Sequence, residues 1–349
     1  MSLGLDIGHF NSKVVLLSGS GDNIEAQKVN NCNTFTDLNL FDPETITKAQ
    51  WVASIQDLLK EIKINPKSQK ELVSSLIGSS TTIKQILTVE MAGQELVQAL
   101  EFEAKKHIPL DGTEVIMDYH IIGESSKEVG KIDVLLVATT KNLITQHNQL
   151  ITEIGFKKTG VFDATPVALT NLCIHNRGIP DQGVDVILNI GCKSTTIVVF
   201  GNGQDFFTRE LNIAGHKISK SLMDKNSLNY YEAEKLKFEK GVQSLENTST
   251  ENESFSIQVA EKTIFTNLVE EIRKSLRYYM KTNPQAYFNK IYVTGGSANL
   301  VGVKDFISTN LNSEVELLDP FEKIALKDST ENPYQYSIAV GCALRGLTG

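Results

Sequence analysis

No run of apolar residues in the chain approaches the roughly 18 that a membrane-crossing helix needs. Cysteine is scarce: Cys32, Cys173, Cys192 and Cys342 are scattered and form no Cys-x-x-Cys pair. That argues against a zinc ribbon and against a secreted disulfide framework, and favours a reducing compartment. A basic surplus is also missing. The 42 acidic side chains outnumber the 34 basic ones, for a formal charge of -8, whereas a general nucleic-acid binder needs a basic footprint. Asp6 and His9 interrupt the first apolar run, so no secretory leader is expected. The closing segment ALRGLTG is too short for an amphipathic anchor. These absences together predict a cytosolic protein that meets a membrane only through partners.

Several catalytic signatures are absent too. The six histidines (9, 107, 120, 147, 175 and 216) include no i,i+4 pair and no His-Glu-x-x-His, so metal ligation by histidine is not expected. No Gly-x-Ser-x-Gly elbow occurs. The segment GCKSTT at 191–196 is not a P-loop, because Val186 stands where the first glycine is required and Lys193 does not follow a glycine.

What is present is a globular composition, 41% hydrophobic and 22% charged over 349 residues, enough for about two domains. It also contains a duplication. LDIGHFNSKVVLL, starting at Leu5, returns as LNIGCKSTTIVVF, starting at Leu188, an offset of 183 residues (188 − 5). Each copy reads as strand, tight turn at Gly8 or Gly191, and second strand. A glycine at such a tip tolerates positive φ and lets backbone N–H groups approach an anion. The adjoining His9, Phe10, Asn11, Cys192, Lys193 and Ser194 surround that anion position, and Lys13 can reach it as a point charge. Asp6 can hold Mg²⁺ through the ion's water shell. Two such turns facing each other would pinch a polyphosphate. A third signal is IYVTGGSANLVGV at 291–303, where a buried strand runs into Gly295, Gly296 and Ser297. Paired glycines there let backbone lie flat against a base or sugar.

Between the hairpins lies a separate module. Ile83–Val89, Val115–Ile122 and Ile132–Ala138 read as strands. Gln94–His107, closed by Pro109, and Leu143–Ile154, stopped by Gly155, read as helices. Around this module the reading places a helix at Glu44–Ile62 started by Asp42-Pro43, a strand at Leu72–Ser79 and a surface loop or disordered tip at 243–253. A long helix is expected at Thr263–Met280 and a small-residue helix at Gln335–Leu344. Tyr278-Tyr279 is expected half in the core and half outside. Glu234 and Lys237 share a helical face, either as a surface ion pair or as part of a site.

The hairpins resemble the two phosphate loops of the actin, Hsp70 and sugar-kinase ATPase superfamily, and 291–303 resembles its adenosine loop. The inserted module is similar to that of the FtsA/PilM branch. The matching residues are Glu95-Leu96, Glu103-Ala104, Ile108-Pro109, Glu114-Val115 and Asp118-Tyr119. Arg209 before Ala214-Gly215, EAEKLK at 232–237, EIRKSLRYY at 271–279 and AVGCALRG at 339–346 agree as well. The resemblance spans almost the whole chain and points to the type IV pilus PilM family. It implies an α/β, two-lobed actin-like ATPase fold with ribonuclease-H-like duplicated lobes and an inserted βαββα subdomain. Residues 1–80 and 158–180 would form the first lobe and 81–157 the insertion. Residues 181–214 and 285–349 would form the second lobe, and 215–284 a nucleotide-side subdomain. It implies ATP or ADP with Mg²⁺ as ligands, and Gly215, Glu234 and Lys237 beside the nucleoside.

The resemblance further implies a scaffold on the cytoplasmic side of the inner membrane. That scaffold would grip the N-terminal peptide of a PilN-type membrane protein in a groove of the first lobe and the insertion. Other pilus platform proteins and motor ATPases are implied partners. An FtsA-like division scaffold and a small-molecule kinase are the alternatives. Departures from the family pattern are Asn189 in place of the usual Asp, His9-Phe10-Asn11 in place of small hydroxyl residues, and Ala214 in a usual Gly-Gly pair. An amide at 189 cannot act as a base, so at most very weak ATPase activity is expected.

Overall fold

The computed structural model describes the whole chain except residues 77–80, 108–113, 126, 246–262, 285, 328 and 349. The expected helix stop at Pro109, the end of the strand read at Leu72–Ser79 and most of the loop at 243–253 therefore lie outside the described residues.

In chain order, β1 (Ser2–Ile7) and β2 (Asn11–Ser20) form a hairpin that β3 (Asn23–Asn33) extends. Next come α1 (Lys48–Glu61) and β4 (Leu72–Ser75). Then follow β5 (Thr82–Val89), α2 (Gly93–His107), β6 (Val115–Glu124), β7 (Lys131–Thr140) and α3 (Lys141–Ile154). β8 (Val161–Asp163) and α4 (Thr165–Arg177) end the first half. The second half opens with β9 (Val184–Ile190), β10 (Thr195–Phe200) and β11 (Phe207–Leu211). It continues with α5 (Gly215–Asn226), α6 (Tyr230–Lys240), α7 (Ile264–Thr282) and β12 (Phe288–Thr294). α8 (Val303–Leu311), β13 (Val315–Leu317), β14 (Ala325–Leu326) and α9 (Ser337–Thr348) close it.

The two halves share one topology. The first sheet has the order β14-β3-β2-β1-β4-β8 and the second β11-β10-β9-β12-β13. In each, the central strand, β1 or β9, runs antiparallel to its hairpin partner and parallel to the strand on its other side. Register preserves the duplication: Asp6 lies opposite Lys13, and 183 residues on Asn189 lies opposite Thr196. β1 and β9 are buried along their entire length, as strands sandwiched between layers must be.

Helix starts and stops follow local chemistry. α1 begins at Lys48, later than the Asp42-Pro43 signal suggests. Thr47 caps it in a reciprocal box with Gln50, while Asp42 accepts from the Glu44 amide and closes a separate turn. α3 ends at Gly155, which takes the left-handed conformation at φ 115°. α2 buries Leu96, Leu100 and Ala104 against Ile132, Val134 and Leu136 of β7, giving the inserted sheet β5-β7-β6 its own small core. α3, which the sequence reading groups with that module, instead buries Leu150, Ile151 and Ile154 among Leu3, Leu5, Ile55 and Leu59 of the first lobe. α7 turns Phe265, Leu268, Ile272, Leu276 and Tyr279 into the second-lobe core, and Tyr278 stays outside it.

The lobes are joined by an exchange of helices. α9, the last element of the second half, lies on the first sheet against β1, β2 and β4. α4, the last of the first half, packs on α9 and reaches β10. The approach is close enough to demand glycine: a Cβ on Gly4 would lie 1.9 Å from the Ala339 carbonyl oxygen. Among the described residues no helix is long and apolar enough to cross a membrane.

Candidate functional site

Between the lobes lies a cleft of about 500 Å³. Every residue singled out above as a candidate ligand-binding residue lines it: Asp6, Gly8, His9, Phe10, Asn11 and Lys13 from the first hairpin, and Asn189, Gly191, Cys192, Lys193 and Ser194 from the second. Gly215 at the start of α5, Glu234 and Lys237 on α6, and Gly295, Gly296 and Ser297 after β12 complete the set. Each hairpin turn follows the C-terminal end of its sheet's central strand, β1 or β9, and both turns line the same gap.

In the first hairpin the Asp6 carboxylate is nearly buried. It receives Lys13 Nζ at 3.1 Å and the Ser75 hydroxyl at 3.2 Å. The Trp51 indole N–H donates to the Gly8 carbonyl at 2.9 Å and packs its ring edge-on to His9. Burial, helped by Lys193, pushes the His9 imidazole down to about 4, so the ring is neutral at pH 7. Positive φ is not what Gly8 and Gly191 contribute, since neither adopts it. At Gly8 the requirement is space: a Cβ would lie 2.4 Å from the Asn11 carbonyl oxygen and 2.9 Å from Lys13 Nζ.

The second hairpin is held by its neighbours. The Gly215 amide donates to the Gly191 carbonyl at 3.1 Å, His216 N–H to the Cys192 carbonyl at 2.8 Å, and the Ser297 hydroxyl to the Gly191 carbonyl at 3.2 Å. Burial pushes the Cys192 thiol up to about 12, so it is no nucleophile at neutral pH. Lys193 reaches across the cleft to Glu44 at 2.9 Å.

On the α6 side of the cleft, Glu234 and Lys237 form a buried pair at 2.6 Å, not a surface one. Ser219 donates to Glu234, and Lys237 donates to Ser219 at 2.9 Å. Gly295 sits at φ 93°, with no room for a Cβ beside Asn189, whereas Gly296 opens onto empty space. Asn332 supports that loop by donating to the Gly296 carbonyl at 3.0 Å.

The cleft also contains residues that local sequence signals do not mark. Thr81, Thr82 and Ile83 enter from the inserted module, and Thr208, Arg209 and Glu210 from β11. Glu210 lies opposite Thr196, which lies opposite Asn189, so the three form one row across the second sheet. Only strand pairing brings them together, which is why motif spacing does not find them. Among the described residues no group of three or more His, Cys, Asp or Glu side chains is placed to hold a metal directly.

The sequence matches a family model described as type IV pilus assembly protein PilM over residues 4–347. A solved structure titled PilM-PilN type IV pilus biogenesis complex is similar, with a TM-score of 0.78 and 22% identity over 99% of this chain and 98% of that one. The ethanolamine utilization protein EutJ from Carboxydothermus hydrogenoformans is also similar, with a TM-score of 0.54 and 14% identity over 98% of this chain and 89% of that one. The two-lobed, duplicated architecture is that of the actin-like ATPase fold. With the family model covering nearly its whole length, the chain belongs to the PilM family of type IV pilus assembly proteins.

Proposed function

We propose that this protein is a nucleotide-responsive scaffold of a type IV pilus machine. It binds ATP or ADP between its lobes, and it binds the cytoplasmic N-terminal peptide of a PilN-type membrane protein with its first lobe and inserted module. The observation that supports nucleotide binding best is the convergence of four separated glycine-bearing segments, around Gly8, Gly191, Gly215 and Gly296, on one cleft of about 500 Å³. In this reading the hairpin turns and Lys13 grip the phosphates, and Gly296 underlies the base or sugar. Mg²⁺ fits only as an ion carried by the phosphates with its water shell, since Asp6 is the one carboxylate of the first hairpin and Lys13 and Ser75 already engage it. Mg²⁺ would offset phosphate charge there.

Turnover is expected to be very slow. Asn189 cannot accept a proton, and Glu210, the carboxylate of its row, lies two strands away. Nucleotide then biases lobe closure and is not consumed at an appreciable rate. For the peptide, a supporting feature is β6. Among the described residues it pairs only with β7, and it exposes Ile116, Ile121 and Ile122, a combination suited to an added extended strand with apolar side chains. Attachment to the inner membrane would then run through that partner. Other platform proteins and motor ATPases are further partners in this proposal.

Calorimetry with Mg·ATP, Mg·ADP and a synthetic PilN-type N-terminal peptide tests the proposal. Saturable nucleotide binding that Gly296→Val abolishes supports the cleft, and peptide binding lost on altering the inserted module supports the scaffold. Absence of both heats would overturn it.

A further inference from the structure

The cleft is bridged by a chain of aromatic rings. Phe10, directly after the first hairpin turn, contacts Phe35 and Phe41 with ring centroids 4.9 and 5.2 Å apart. Phe35 and Phe41 also touch each other, at 5.0 Å. Phe41 then crosses to the second lobe and meets Tyr230 at 5.5 Å and His216 at 5.9 Å, both edge-on. His216 stacks on Tyr230, and its backbone N–H donates to the Cys192 carbonyl of the second hairpin turn. The ring chain thus runs from one phosphate-loop candidate to the other. Phe41 and Tyr230 are both buried, although Phe41 lies in a loop.

Two polar contacts from the same loop cross the gap. The Tyr231 amide at the start of α6 donates to the Asn39 side-chain oxygen at 3.1 Å, and Glu44 pairs with Lys193 at 2.9 Å. The second contact occupies the cation of the second hairpin turn. A carboxylate on Lys193 competes with any phosphate that approaches it.

We infer that the loop from Phe35 to Glu44 is a latch: Phe41 wedged against His216 and Tyr230 holds the lobes closed, and Glu44 occupies Lys193 until a polyphosphate displaces it. This rests on the reading of the cleft as a polyphosphate site and adds its regulation. It also gives Phe10 a role, because its ring anchors the wedge through Phe35 and Phe41. Release of the loop lets the lobes part about α4 and α9. Ligand entry and exit are therefore limited by the latch and not by the width of the open cleft.

The test has two arms. In the first, hydrogen exchange is followed in ligand-free wild type and in Phe41→Ala. The latch requires that protection falls at least about tenfold at both 38–41 and 229–231, on opposite lobes, while α4 and α9 keep theirs. Unchanged exchange at 229–231 overturns it. In the second, a fluorescent ATP analogue and inorganic tripolyphosphate are each mixed rapidly with both proteins and with Glu44→Gln, with Trp51 as a second reporter beside the Gly8 carbonyl. Phe41→Ala should speed association and dissociation of the ATP analogue together by about tenfold, shifting its equilibrium constant much less. Glu44→Gln should tighten tripolyphosphate by about threefold, most at low salt. Rates identical to wild type in a protein that does bind the analogue overturn the latch. Coupled loss of exchange protection with no binding of either probe upholds the latch as a lobe clasp and removes the nucleotide reading instead.

Discussion

The two hairpins carry the same backbone and opposite chemistry. Across the first sheet runs the row Asp6, Lys13, Asn31, and across the second the row Asn189, Thr196, Glu210. The first lobe keeps its acid on the central strand and neutralises it one strand away. The second lobe is neutral at the centre and carries its acid on the third strand, about 10 Å from Asn189 at ordinary strand spacing. At the turns, neutral His9 corresponds to Cys192, and Phe10 to Lys193. Each duplicated position therefore has a division of labour. The first turn is packed on Trp51 and on the aromatic wedge, while the second presents a partly exposed cation.

The largest expected effect lies beneath the turns, where the lobes differ in what α9 allows. Gly4 corresponds to Ile187 (187 − 4 is again 183). Ile187 belongs to the same interlobe apolar cluster as Ala339 and Val340, whereas Gly4 must clear the Ala339 carbonyl. Gly4→Val should cost more than about 4 kcal/mol, because backbone cannot yield to a Cβ. Ile187→Val should cost about 1 kcal/mol. Urea unfolding compares them directly, and a Gly4→Val loss no larger than that of Ile187→Val would mean that α9 can shift to admit a side chain at position 4.

Next in size is the Asp6–Lys13 pair. Both side chains are largely buried, so Asp6→Asn leaves an uncompensated ammonium and should destabilise by about 3 kcal/mol. Converting the first row to the second, Asp6→Asn with Lys13→Thr, removes both charges and should return to within about 1 kcal/mol of wild type. Such a double variant would keep its fold and lose affinity for Mg·ATP, which separates the structural from the ligand role of the pair.

Smaller again is the acid response. In the unfolded chain His9 takes up a proton near the ordinary 6.5, but in the fold not until about 4. Stability from this group is full above 6.5 and is lost as the pH falls through that window, by about 2 kcal/mol once partial solvent screening is allowed for. Buried His147 behaves the same way. Asp163, pushed up to about 6 by burial, acts in the opposite sense, because the folded state takes up its proton first and gains stability as the pH falls from 6 towards 3.8. His9→Cys, copying the second lobe, leaves both of those in place. The difference between the two stability–pH curves therefore isolates His9, and parallel curves would show that the ring is not held neutral.

The duplication, the three glycine signals and the helix periodicities were all readable in the sequence because each is a local pattern with a short-range cause. The buried environment of Glu234 and Lys237 was not, since an i,i+3 pair has the same spacing on a surface or in a core. Nor was the start of α1: Asp42-Pro43 and Thr47 with Gln50 are both good helix-start signals, and the fold uses the first to close a turn and the second as the cap. Thr81–Ile83 and Thr208–Glu210 reach the cleft through strand pairings between residues far apart in sequence, which no spacing encodes. The positive φ expected at Gly8 and Gly191 is absent for a related reason. Neither takes a left-handed backbone, and a Cβ would lie 2.4 Å from the Asn11 carbonyl oxygen at Gly8 but 3.0 Å from the Ser194 carbonyl oxygen at Gly191.

The finest division between the turns is between their lysines. Lys13 is held in place by a buried carboxylate, whereas Lys193 is partly exposed and its partner Glu44 is mostly in solvent. Exposed pairs of that kind add little to stability, so Lys193→Gln should leave the melting temperature within about 1 °C of wild type. Its effect should appear in ligand binding alone, as a loss of about three- to tenfold in affinity for Mg·ATP that shrinks as salt is raised. Lys13→Gln, by contrast, should lower both stability and affinity, because it strands Asp6 as well as removing a charge from the phosphates. Thermal melts and nucleotide titrations of the two variants at low and high salt resolve the difference. A melting shift for Lys193→Gln as large as that for Lys13→Gln would mean that the second turn is as fixed as the first, and the division of labour between the lobes would fail.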